Sequence, residues 1–470
     1  MRNLNANQVT WLEENFKHRV TVSLRERSMY SRDAGALPSL IRPLVGNTMP
    51  AAVVQPVSEE EVVKLVMWAG SERIPLVPRG KATSGYGGVL PVKGGIVVDF
   101  SRMTNVLAIN GKSENEPTVA VEPGISWKKL DEDLIKEGLT LRLYPSSYPS
   151  STAGGWLAQG GAGFGSWQYG MFAENIVEAR AVLGDGRVKT FSGKELRFLS
   201  EAEGITGIIV SLTLKVMPYS VIRVKLIAVE ESSRLVNLLE LLKALPLWSV
   251  SFVNPAMVRL SNQAPLRTHH GHPVEERVTF PEKYLVTLAY RKENEKEIEA
   301  KLPDLAAKVS GQLLSEKLAR HEWEERFKIM KVKRLGPSLI PAEVIVPLAG
   351  LNNLLEKLDA SISQPLVLEG MGVSGKEIVI LGFIPHDERR FSYNLTFPLA
   401  LTVTRFARQN GGRAYATGLY FANEAPSVLG RERLQELKGF ISKYDTVWIS
   451  APSIMAGCGK VSRQGESGFI

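Results

Sequence analysis

The chain of 470 residues has one cysteine, Cys458. No disulfide can close within it. It cannot build an iron–sulfur cluster alone either, because such clusters are held by several thiolates. This usage suits a reducing compartment, and a cytoplasmic location is expected. Long apolar runs are missing as well. None approaches the roughly 18 residues of a membrane-spanning helix, and the first fifteen residues have no apolar core. Neither a span nor a signal peptide is therefore expected. Histidine is sparse: His18, His269, His270, His272, His321 and His386, with none between residues 45 and 220. There is no internal repeat and no low-complexity segment. The net charge of +8 is dispersed along the chain. Without a nucleic-acid motif beside it, this charge points to an anionic substrate or an acidic partner rather than to nucleic acid.

Glycine is plentiful, with 41 residues, and it is concentrated in two stretches. One is Pro75-Leu-Val-Pro-Arg-Gly-Lys-Ala-Thr-Ser-Gly-Tyr-Gly-Gly-Val-Leu-Pro91. The other runs from Tyr144 to Gly170 and opens Tyr-Pro-Ser-Ser-Tyr-Pro-Ser-Ser-Thr-Ala-Gly-Gly. Such stretches let successive backbone N–H groups converge on an anion. Thr83, Ser84, Ser146, Ser147, Ser151 and Thr152 add hydroxyl donors. Two such loops can hold the two ends of a dinucleotide.

The length predicts two or three domains. Residues 1–44 read as a helix and loop, with Trp11, Leu12, Phe16 and Val20 at helical spacing. A strand at 53–54 precedes a helix capped by Ser58 with Glu61, expected to run to Trp68 and close at Gly70. Strands are expected at 74–77, 95–100 and 119–121, and Ser126 caps a helix ended by Gly138. A hairpin follows at 176–191, turning at Gly184-Asp-Gly186, then a strand at 212–216. Residues 221–430 alternate strands and helices with less glycine and more charge. Helices are expected there at 292–307 and 316–330, and strands at 343–346 and 377–384. A last helix spans 431–444.

Common nucleotide fingerprints do not apply. Residues 80–85 begin like a phosphate loop of the Walker type, but Tyr86 stands where lysine is needed. Gly370-Met-Gly-Val-Ser-Gly375 fits the dinucleotide pattern, yet the alternating Lys376-Glu-Ile-Val-Ile-Leu381 predicts a strand after it. No helix N-terminus would face a pyrophosphate there, and a turn is expected.

Six motifs occur in order: Pro78-Arg-Gly-x-x-Thr-Ser84 with Gly87-Gly88; Val121-x-Pro-Gly124; Tyr144-Pro-Ser-Ser with Thr152-x-Gly-Gly155; Tyr169-Gly170; Asp185-Gly186; and Glu203-Gly-x-x-Gly-Ile-Ile209. The series resembles the FAD-binding domain of the vanillyl-alcohol oxidase/p-cresol methylhydroxylase superfamily, nearest to its glycolate oxidase D-subunit and D-lactate dehydrogenase branch. Trp323-x-x-Arg326 and Val344-x-Val-Pro347 resemble parts of that family's cap.

The resemblance implies an α+β protein. It has a two-subdomain FAD domain over residues 45–220 and an α+β cap over 221–430. The segment 1–44 packs on the FAD domain, and 431–470 returns to it. The resemblance places Pro78, Arg79, Gly80, Thr83, Ser84, Gly87 and Gly88 at the pyrophosphate. Pro145, Ser146, Thr152, Gly154, Gly155, Tyr169 and Gly170 would follow the ribityl chain and ring. Gly204, Ile208 and Ile209 would meet the adenine half or the ring edge, and Lys460 would end near the flavin. With no histidine in 45–220, FAD is expected to bind without a covalent link.

The chain departs from the branch at its metal motif. Phe383 stands at the first ligand position of Gly382-Phe-Ile-Pro-His-Asp387. Gly411-Gly-Arg-Ala-Tyr-Ala-Thr-Gly-Leu-Tyr420 has neither of the expected Glu and His. No metal is expected, and the short run His269-His-Gly-His272 is expected to be a loop. The polar residues left for catalysis are Arg326, Arg413, Tyr415 and Tyr420. Arg326 is either a carboxylate anchor or a helix-surface partner of Glu322 or Glu325. The tyrosines are either acid/base groups or core residues. Cys458 is expected to be a small buried residue. The expected function is an FAD-dependent oxidoreductase acting on an alcohol or hydroxyacid, with electrons leaving to a separate acceptor such as an iron–sulfur protein. The alternative is an electron-transfer flavoprotein subunit of an iron–sulfur complex with no hydroxyacid of its own.

Overall fold

A computed structural model describes residues 4–444, apart from 112–115, 270–271, 274–275 and 337. Lys460, Cys458 and His270 lie outside the described residues.

Three large sheets carry the chain, and a fourth of two short strands pairs Thr268–His269 with His272–Pro273, so the ends of the run expected to be a loop are paired as strands. The first has four strands in the order Val20–Thr21, Ala52–Val54, Ile96–Asp99, Leu76–Arg79. The last three are parallel to one another. Their runs are apolar up to the closing Arg79 and Asp99, as strands covered on both faces require. Leu12 and Phe16 of the helix Ala6–Phe16 enter the same core, and Trp11 stacks on Trp68 with ring centroids 4.2 Å apart. The segment before residue 45 thus completes this sheet and its core. The helix Glu59–Glu72 is capped by the Ser58 hydroxyl, which accepts from the Glu61 amide. The Glu61 carboxylate accepts from the Val57 amide at 2.9 Å and pairs with Arg19. Contrary to the sequence expectation, the helix runs past Gly70 to Glu72. Arg73 ends it at φ 55.

The second sheet is built on the eleven-residue strand Ile208–Pro218. On one side it pairs with Thr118–Val121 and, further along, with Leu139–Leu141. On the other it pairs with Ile176–Val182, the first arm of the hairpin completed by Val188–Ser192. Ser126 caps Trp127–Lys136, whose Trp127, Leu130 and Leu134 are buried at helical spacing.

The third sheet has nine strands and begins at Ile222–Val229, just after Pro218. Ser232–Leu242, Glu295–Lys308, Leu348–Ser361 and Leu399–Gln409 supply leucines, isoleucine and alanines to its largest core. The glycines at 370–375 belong to the hairpin of Val367–Val373 with Glu377–His386. Ser374 and Gly375 turn it at φ 51 and 64. A Cβ on Gly370 would lie 2.1 Å from the Phe252 ring, so this glycine serves packing. The helix expected over 316–330 is shorter, Glu316–Glu325, and a 3₁₀ stretch Ile329–Leu335 follows. The helix Arg431–Lys443 returns to the second lobe. There Leu434, Leu437 and Ile441 cover Ala202 and Ile205.

Candidate functional site: a cleft between two glycine loops

The first glycine loop leaves the strand Leu76–Arg79, and the second precedes the helix Ala153–Gln159. They face each other across a cleft. The first loop touches the second closely, since a Cβ on Gly80 would lie 2.4 Å from Thr152 Oγ1, and the second packs on Pro123, whose Cβ would lie 2.6 Å from a Cβ on Gly154. Glycine is needed at both positions because the backbones themselves form the walls. The Thr152 hydroxyl accepts from the Gly155 amide, which fixes its rotamer at the cleft.

The cleft gathers Pro78, Arg79, Gly80, Thr83, Ser84 and Gly88 from the first loop. Thr152, Gly154 and Gly155 come from the second, Gly204 from the turn before the strand Ile208–Pro218, and Ile209 from the start of that strand. The other expected positions stand elsewhere. The Gly87 amide donates to Asp33 Oδ2 at 2.6 Å, and a side chain there would strike Leu419. Ile208 points into the core of the first lobe. Pro145 and Ser146 form the turn before the cleft, and their neighbour Ser147 enters it with its hydroxyl 2.7 Å from Ser151 Oγ. The Tyr169 phenol accepts from Arg291 of the cap at 2.6 Å, and Gly170 ends a short helix against Glu174. Tyr169 is thus part of the joint between lobe and cap.

Arg79 lines the cleft, but its guanidinium donates to the carbonyls of Tyr30 and Arg32. It ties the N-terminal segment to the loop, and the Ala34 amide bonds the Ser84 carbonyl in the same joint. Sequence reading did not single out Lys81, Trp156 or Gln159, which also line the cleft. For Trp156 and Gln159 the signal was their i,i+3 spacing just after Gly154-Gly155.

The cap closes the cleft with Ala416 and Gly418. Glu203 latches this loop: its carboxylate accepts from the Thr417 hydroxyl at 2.8 Å and the Gly418 amide at 2.7 Å. Tyr86 lies beneath, and its carbonyl accepts from the amides of Leu419 and Tyr420. The four candidate catalytic residues separate. Arg413 is held by Glu201 at 2.8 Å. Tyr420 stands outside the cleft, beside Phe397 and over Gly87. Arg326 lies flat on Trp323, 3.8 Å from the ring centroid, with Phe327 on another side. Burial holds its pKa down to about 10, against the pull of the Tyr144 and Tyr148 phenols and of Asp131. It pairs with neither Glu322 nor Glu325; Lys328 takes Glu325. Tyr415 alone stays near the cleft, with its hydroxyl against Gly161 and Trp156.

At the metal-motif position Phe383 is buried. His386 Nε2 lies 3.0 Å from Ser392 Oγ. The Asp387 carboxylate, hydrogen-bonded by Arg389 and flanked by Arg390, is held at about 2. Among the described residues no cluster of three or more His, Cys, Asp or Glu side chains is arranged to hold a metal ion. No described helix is long and apolar enough to cross a membrane.

This architecture and cleft define a class of cofactor-binding protein. Residues 50–192 match the FAD binding domain family, and the chain carries that domain. Over 95% of its length the fold matches a solved alkyldihydroxyacetonephosphate synthase, with TM-score 0.74, 19% identity and 85% of that chain covered. Over 94% it matches p-cresol methylhydroxylase, with TM-score 0.73, 15% identity and 95% of that chain covered. In sequence it is 28% identical over 368 residues to the mitochondrial D-lactate dehydrogenase [cytochrome] of Arabidopsis thaliana, covering 73% of this chain and 62% of the relative. It is 29% identical over 194 residues to the glycolate oxidase subunit GlcD of Bacillus subtilis, covering 39% of this chain and 41% of the relative. The chain thus spans less than two thirds of the length of these relatives. The motif resemblance is borne out, and the cofactor is FAD. The site fits it: neutral amide and hydroxyl donors, one lysine, and glycines where a Cβ would fill the cradle.

Proposed function

We propose that the protein is an FAD-dependent dehydrogenase that oxidises a small alcohol or 2-hydroxyacid and passes the electrons to a separate protein. One observation carries this reading: the cap loop at Ala416 and Gly418 forms a wall of the cofactor cleft, so a substrate held by the cap meets the cofactor. The similarity to a D-lactate dehydrogenase and a glycolate oxidase subunit supports the substrate class. Amides and hydroxyls of residues 80–84 and of Thr152 would hold the pyrophosphate, with Lys81 adding charge. Gly154 and Gly155 allow close approach of the backbone. FAD supplies a two-electron acceptor for hydride. The protein excludes water with Trp156 and the latched cap loop. Arg326, stacked in an aromatic cluster, holds cap to lobe. The acceptor we assign is an acidic iron–sulfur protein, in keeping with the net charge of +8 and the single cysteine.

The test is anaerobic addition of lactate and glycolate enantiomers, and of simple alcohols, to the FAD-loaded protein. Bleaching of the flavin absorbance by one of them is expected. A flavin that stays oxidised with the whole panel overturns the reading.

A further inference from the structure

The cap holds a second cavity that shares no residue with the cofactor cleft. Strand pairing builds one side of it. Val253 of the strand Ser249–Val253 pairs with Glu369 of Val367–Val373 and with Leu285 of Tyr284–Arg291. Paired residues share a face of a sheet, and all three line the cavity. The helix Pro255–Gln263 adds Met257, Val258 and Ser261. The helix Glu316–Glu325 brings Glu322 and Glu325, three positions apart on one face, and Arg326 and Lys331 follow it. Three carboxyls and two cations thus face one small space, while the paired strands and the helix Pro255–Gln263 otherwise present Ser261 and apolar side chains there. Part of the charge is already matched. Glu325 pairs with Lys328, and the Arg326 guanidinium donates to the Trp323 carbonyl and lies on the Trp323 ring. Lys331 offsets Glu322 in part. Glu369 is left over: it is 5% exposed, and its Oε2 is buried with no hydrogen-bond partner. Such an oxygen is costly to bury unless a donor meets it. Burial pushes the Glu369 carboxyl up to about 8, and Glu322 adds to the shift, so both carboxyls call for the same missing positive charge.

The lining selects the occupant. A hard metal ion needs several converging oxygens, and among the described residues no acidic cluster is arranged to supply them. A primary ammonium needs less. It is a compact head with three N–H donors, and an alkyl chain behind it suits an apolar wall. We propose that this cap cavity binds a small primary alkylammonium, its head between Glu369 and Glu322 and its chain on Met257, Phe280 and Leu285. The site is separate from the cofactor cleft and does not depend on the dehydrogenase reading. The ammonium takes Glu369 in its ionised form, so a proton leaves that carboxyl as the ligand enters.

The test is titration calorimetry of the FAD-loaded protein with n-butylamine in an amine-free buffer, in wild type, Glu369→Gln and Glu322→Gln. Wild type should bind the amine saturably, while n-butanol and butyrate should not bind. Below the Glu369 pKa the ligand competes with a proton, so affinity should strengthen by up to about tenfold per unit as pH rises from ~6 to ~8. Each glutamine variant should bind at least about tenfold more weakly at the upper pH, because the buried ammonium loses a charged partner. Glu369→Gln should also flatten the pH dependence. Far-ultraviolet circular dichroism checks the fold of both variants, and Glu322→Gln carries the test if Glu369→Gln does not fold. Absence of butylamine binding in wild type, or equal affinity in wild type and a folded glutamine variant, overturns the proposal. Tighter binding of butyrate than of butylamine overturns it too, and marks an anion site at Arg326 and Lys331 instead.

Discussion

Arg413 of the cap and Glu201 of the second lobe are joined by an ion pair of 2.8 Å, and Arg433 of the last helix grips the other carboxylate oxygen at 2.7 Å. Three parts of the chain meet on one carboxylate. Burial opposes its ionisation, but the two guanidiniums outweigh burial and hold the Glu201 carboxyl below its usual range. Its stabilising effect is present at neutral pH and is lost as pH falls through the lowered pKa.

Arg413→Gln should therefore act on stability. Leaving Glu201 with one partner should cost roughly 1–3 kcal/mol, read as a lower thermal midpoint. The rate per bound flavin should stay within a few-fold of wild type. A collapsed rate at an unchanged midpoint would show that Arg413 works on the substrate instead.

Gly80→Val should empty the protein of flavin while the cap stays folded. The new Cβ would lie 2.4 Å from Thr152 Oγ1, against the opposite wall of the cleft. Flavin absorbance of the purified variant, beside its far-ultraviolet circular dichroism, is the check. Wild-type flavin content contradicts the assigned cleft.

FAD should leave the protein on acid precipitation and appear yellow in the supernatant. Among the described residues, no histidine or cysteine lines the cleft to carry a covalent link. A pellet that keeps the colour would sink this expectation.

Turnover should be indifferent to chelators. Phe383 is buried, the His386 ring is engaged with Ser392, and Arg389 and Arg390 flank Asp387. Inactivation by EDTA that zinc or manganese reverses would refute it.

Glu369 predicts the pH dependence of stability. One of its carboxyl oxygens is buried without a hydrogen-bond partner. Burial pushes the group up to about 8, and the nearby Glu322 adds to the shift. Between its unfolded value and about 8 the folded protein holds an extra proton, so stability declines as pH rises through that window. Glu369→Gln should gain on the order of a few kcal/mol over wild type at pH ~9 and little at pH ~5. An equal change in thermal midpoint at both pH values would rule out ionisation as the cause.

The sequence by itself determined the cofactor domain. Glycine spacing, hydroxyl residues and helix caps are local, and Ser58, Ser126 and Thr152 each cap the helix that follows them. The glycine loops were legible because only glycine tolerates the approach seen at Gly80 and Gly154. What each charged or aromatic side chain does depends on partners far along the chain, and only the tertiary structure decided that. Arg413 meets Glu201, 212 positions away. Tyr169 meets Arg291, and Arg79 turns back to the N-terminal segment. Local pattern encodes backbone shape, but the charge state and reach of a side chain are set by burial and neighbours, which exist only once the lobes have closed.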